Sequence, residues 1–134
     1  MGIAIALSSA FPQRHVATIL YVGTHGVVDP TRATLPFVLA LGALQAGHEP
    51  QIALLTKAAW LARASLAEQI GVGFPPLREL LPQLRAHPVP VFVGGPCAAA
   101  RGVIEADLEG TGARFIDAAD FARIVAQADR VVSI

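Results

Sequence analysis

The chain has 134 residues, enough for one domain with a single substantial core. Its 10 basic and 10 acidic side chains cancel and no basic run appears, which argues against nucleic acid as a partner. Hydrophobic residues make up 54% and charged residues only 15%, so one copy has little polar surface with which to cover itself.

A membrane span needs about 20 mostly apolar residues. The longest candidate, Leu35 to Ala46, is shorter and lies between polar turns. A homo-oligomer that buries apolar helix faces between copies is expected instead. The opening residues lack a basic region, and their apolar core runs only from Ile3 to Leu7, too little for a signal peptide. The expectation is a cytoplasmic protein with an N-terminal arm over residues 1–16 and one domain over 17–134. The lone cysteine excludes an intramolecular disulfide and a thiolate-rich zinc site, and the histidines lack metal-ligand spacing. No metal or cofactor is expected.

In chain order, Ala17–Gly23 is rich in β-branched and aromatic residues and stops at glycine, which predicts a first strand. A loop carrying Thr24, His25 and Gly26 follows, and Asp29 or Thr31 is positioned to cap a helix over Thr31–Ala46. Gly47 stops that helix, and Pro36, a turn in, is placed to bend it. Almost no polar side chain interrupts the helix between Thr34 and Gln45, a pattern that predicts burial all round. Glu49–Leu55 reads as a second strand ending at Thr56 and Lys57. A helix over Ala58–Ile70, holding Trp60, Leu61, Leu66 and Ile70, is broken by the glycines and proline of residues 71–75. Leu77, Leu80, Leu81 and Leu84 recur at helical spacing and predict an amphipathic helix over Pro76–Ala86.

Pro90–Val93 is a short apolar strand, and Gly94 and Gly95 allow a sharp turn after it. Pro96 suits a first helical position, which sets Cys97 in the first turn. Unpaired N–H groups and the positive end of the helix dipole favour an anion there, and a thiolate is one. Arg101, four residues on, shares that helical face. Gly102 closes the helix, and Glu105–Leu108 adds a turn before Gly110 and Gly112. Arg114–Ile116 is a minimal strand, Asp117 and Asp120 start a final helix, and Val131–Ile134 is the last strand. Strands alternating with helices predict a three-layer α/β/α fold with a mostly parallel five-stranded sheet. Sites in such sheets lie beyond the carboxyl ends of the strands. Thr24–Gly26, Thr56–Lys57 and Gly94–Cys97 all fall on that edge.

Several of these stretches together resemble the DsrE/DsrF-like (DsrEFH) family of small sulfur-relay proteins. They include Gly23–Gly26, Asp29-Pro30 with Arg32-Ala33, Ala46–His48 and Pro75–Leu81. The segment VFVGGPCAAARG over Val91–Gly102 is the most specific, and Phe115–Phe121 with Ala128–Val131 completes the match. The resemblance implies a flavodoxin-like, DsrEFH-like fold and a homo-oligomer such as a trimer or hexamer. It also implies that Cys97 accepts sulfur as a persulfide. Relatives often carry a second cysteine, for example at the Gly94 position. Its absence here means that release must go to a thiol outside the chain, so a sulfur-donor and a sulfur-acceptor protein are the implied partners.

Around Cys97, Gly95, Arg101, His25 and Thr24 are the candidate anion- or substrate-binding residues. Each also has a plain structural reading: His25 as a partly solvated loop residue, Arg101 as a solvated helix end, Trp60 as core or interface. The alternative for the whole chain is a non-catalytic ligand-binding or regulatory oligomer in which Cys97 only packs.

Overall fold

Five strands pair side by side, all parallel, in a computed structural model that describes residues 15–63 and 74–134. Their order is β4-β3-β2-β1-β5, with β1 at Thr18–Gly23, β2 at Glu49–Leu54, β3 at Val91–Gly94, β4 at Ala113–Ile116 and β5 at Arg130–Ser133. The first four strands are laid down in sequence, each beside the last. β5 then returns to the far side of β1, pairing Ile19 with Arg130 and Leu20 with Val131.

The strands alternate their side chains between two apolar layers, as the pleat requires. Tyr21, Ile52, Leu54 and Val93 face α1 (Pro30–Gln45) and α2 (Leu77–Ala86). Leu20, Val22, Ala53, Phe92 and Ile116 face the other way, toward Phe121, Ile124 and Val125 of the final helix, Ala118–Gln127. The three layers follow from this division. Burying a large chain such as Leu20 or Ile52 contributes about 2 kcal/mol.

The helices begin where the sequence supplies acceptors. The Asp29 carboxylate accepts the Arg32 N–H at 3.1 Å and starts α1. Asp117 and Asp120 accept each other's backbone N–H groups at 2.8 and 3.1 Å and start the final helix. The Asp120 N–H is the main reason that the Asp117 carboxyl sits below the ordinary carboxylate range. α2 buries Leu77, Leu80 and Leu84 at the expected spacing and exposes its polar side.

A single copy covers only part of α1. Ala33, Phe37, Ala40 and Ala43 are covered, Leu35, Val38, Leu39 and Leu41 are half-buried, and Gly42 and Gln45 are exposed. Thr34 is fully buried, and its hydroxyl donates to the Pro30 carbonyl at 2.8 Å, which leaves no unmet donor. After β2 the chain forms a 3-10 segment, Thr56–Ala62, in place of the first half of the expected α-helix. No side chain caps it, and small buried Ala58 and Ala59 let the tighter coil lie close to the sheet. Leu66 and Ile70 of the expected helix, and residues 1–14 of the expected arm, lie outside the described residues.

Candidate functional site

Because β1, β2 and β3 are neighbours, the segments leaving their carboxyl ends meet on one edge of the sheet. Cys97 arrives there in α3 (Gly95–Ala99), as a free thiol of intermediate exposure. Glycines make room for it. A Cβ on Gly94 would lie 3.2 Å from the Cys97 sulfur and 3.1 Å from Leu55 Cδ2, and one on Gly95 would lie 3.2 Å from the Ile116 carbonyl oxygen. Neither glycine adopts the left-handed backbone that a sharp glycine turn would use. Close approach, rather than the turn, is what requires them.

Arg101 is held where the helix ends. Its Nη1 donates to the Cys97 carbonyl oxygen at 3.0 Å, so its tie to the cysteine runs through the backbone. Gly102 takes a left-handed φ of 69°, and the Val103 N–H reaches the Ala98 carbonyl at 3.0 Å, the bond expected at a glycine-terminated helix end.

The loop after β1 is pinned from two sides. The Thr24 hydroxyl donates to the Ile134 carbonyl at 2.8 Å, across the crevice where strand order reverses between β1 and β5. A hydroxyl has one proton, so Thr24 offers none to an anion while that bond stands. Its own carbonyl accepts from the Thr56 hydroxyl at 2.8 Å. Thr56 pays a conformational cost there, a β-branched residue at φ 50°. The His25 ring nitrogen lies 3.2 Å from the Thr24 oxygen. Gly26 seats directly on the Lys57 backbone.

Between this loop, the 3-10 segment and the end of α3 lies a recess of about 360 Å³. Gly26, Val28, Lys57, Trp60 and Arg101 line it, and no carboxylate does so among the described residues. Arg101 and the end of the β1 loop thus border one space. Cys97, Thr24 and His25 are not among its walls. Two wall residues were not among the candidate binding residues: Lys57, placed on the site edge only as the end of the second strand, and Trp60, expected as core or interface. Two cations without a carboxylate among the described residues favour an anion in this recess, and the half-buried Trp60 adds an apolar surface.

A small three-layer α/β protein whose third strand delivers a lone thiol to the carboxyl edge of its sheet is the class that fold and site define. The family follows from the sequence over the same span: the model of the DsrE/DsrF-like family matches residues 17–134, and the chain belongs to that family. The crystal structure of ychN protein from E. coli is similar, with a TM-score of 0.67 at 19% identity, covering 89% of this chain and 100% of that one. At that identity the likeness is one of fold. No curated protein matches the sequence. No helix among the described residues is long and apolar enough to cross a membrane.

Proposed function

We propose that this chain is a sulfur carrier in which Cys97 takes up sulfane sulfur and hands it to a partner's thiol. One observation carries the reading: in a chain of this family, the only cysteine stands half-exposed on the carboxyl edge of the sheet. The Cys97 thiolate attacks the outer sulfur of a donor persulfide, the donor leaves as a thiolate, and Cys97 becomes the persulfide. A thiolate on the acceptor protein then attacks the outer sulfur of Cys97 and releases the Cys97 thiolate. Two-electron balance is kept at each step, and no oxidant is needed. Gly95 keeps the strand end open, while Arg101 and His25 of the β1 loop tune the approach of an anionic donor. The protein acts as a cytoplasmic homo-oligomer, and exposed Val131 and Val132 on the edge strand β5 are apolar surface suited to self-association.

A second reading, a ligand-binding or regulatory oligomer with a structural Cys97, has one observation in its favour. The cysteine packs at the margin of the larger apolar cluster.

The test is intact mass after exposure to polysulfide, for wild type and Cys97→Ser. A reducible sulfur adduct on wild type alone, formed at neutral pH faster than on a free thiol, is the expected result. No adduct, with the thiol slow toward alkylation until the chain is unfolded, would overturn the carrier reading in favour of the second.

A further inference from the structure

A second cavity lies away from the cysteine, between α2 and the sheet face that α1 and α2 cover. It measures about 180 Å³ and shares no described wall residue with the recess at Lys57 and Arg101. Its floor and sides are apolar: Phe37, Leu54, Leu77, Leu81, Val93 and Ala113. The volume is meaningful, since an apolar cavity of about 150 Å³ is enough to admit benzene.

The rim has a different character. Arg78 and Arg85 both border the cavity, with Pro82 between them, a spacing that sets all three on one flank of α2. Neither arginine is in an ion pair among the described residues, and no described carboxylate lines the cavity. Thr111, the other polar wall, is occupied: its hydroxyl donates to the Leu108 carbonyl at 2.6 Å and accepts the Ala113 N–H at 3.1 Å. Hydrogen bonding to a guest therefore falls to the guanidinium groups, whose planar donors match a carboxylate.

We propose that this cavity is a binding site for a small organic acid, a monocarboxylate whose apolar body is about the size of one aromatic ring. The ring lies against Phe37, Leu77 and Val93, and the carboxylate is held at the rim by Arg78 and Arg85. The site is independent of the sulfur chemistry, so either assignment can fail without the other.

Phenylacetate and its neutral isostere phenylacetamide are the probes, titrated into the full-length protein and followed by methyl NMR. Phenylacetate should bind saturably, at about a millimolar or tighter, and move the methyl signals of Leu77, Leu81 and Val93. Phenylacetamide should bind about tenfold more weakly. Arg78→Gln with Arg85→Gln should lower phenylacetate affinity about tenfold and leave phenylacetamide unaffected, while Arg78→Lys with Arg85→Lys recovers part of the loss. Thermal melts of each variant confirm that the fold is kept. Absence of saturable binding, equal binding of acid and amide, or shifts centred on Lys57 and Arg101 would each overturn the proposal.

Discussion

Gly26→Ala tests how the β1 loop is seated. A Cβ on Gly26 would come within 2.7 Å of the Lys57 carbonyl oxygen, closer than real Cβ atoms approach. The obstacle is backbone, so no side chain can swing aside. Lys57 cannot retreat easily either, because Leu55 N–H is bonded to the Gly23 carbonyl at 2.9 Å and Thr56 to the Thr24 carbonyl at 2.8 Å. Relief must come from parting the loop from the end of β2. Such overpacking costs about 1–3 kcal/mol, and weakening the Thr56 bond adds up to about 1 kcal/mol. Unfolding entropy of roughly 2 cal/mol/K per residue makes 2 kcal/mol worth about 7 °C of Tm in a chain of 134 residues. The matched control is Gly42→Ala, on the exposed part of α1, where an added Cβ meets nothing within 4 Å. There the helix gains about 0.5–1 kcal/mol, so Tm should rise by a few degrees. Circular dichroism melts of the two variants and wild type decide the matter. If Gly26→Ala melted with wild type while Gly42→Ala behaved as stated, the close seating of the loop would be refuted.

The recess beside α3 makes its own prediction. Lys57→Gln should slow Cys97 adduct formation by tetrathionate, a dianion, about threefold at low salt, with the difference shrinking as salt is added. A neutral disulfide reagent should react at an unchanged rate, and equal slowing of both reagents would point to altered packing instead. Tyr21 is the only tyrosine, so its phenolate absorbance can be read alone. Burial raises its pKa, so its midpoint should fall above 10 in the folded protein. The stabilising contribution is complete below the unfolded value of about 10 and is lost as pH rises through the folded one, so alkali should lower Tm across that interval. A midpoint at or below 10 would contradict the burial.

Much of this architecture could be read from the residues because the signals were local. Leucine spacing marked α2, Asp29 and Asp117 marked helix starts, and short β-branched runs between glycines and prolines marked strands. Strand order was less accessible, since it depends on which crossover packs where, and periodicity carries no record of that. The 3-10 segment was misread because alanines favour an α-helix by propensity, while close packing against the sheet decided otherwise. At the site, the position of Cys97 followed from a strand–glycine–proline pattern within a few residues. Topology put Lys57 on the site edge, but its place and that of Trp60 beside Arg101 arise only when β2 and β3 pair. Thr24, a polar loop residue that suggested a ligand contact, has its proton engaged by a carbonyl 110 residues away in the chain, a partner that no local pattern reveals.

The same strand order carries a consequence for how the chain acquires its shape. From β1 to β4 every new strand docks beside its immediate predecessor, so each pairing closes only a modest loop. β5 must instead find β1, and the bonds that secure the two, Thr18 to Asp129 and Thr24 to Ile134, span 111 and 110 residues. Closing so long a loop carries the largest entropic penalty of any strand pairing in the sheet. In a single copy, β5 is thus an exposed edge strand joined to the sheet by its longest-range pairing, and its amides should exchange with solvent ahead of those of the central strands β1, β2 and β3.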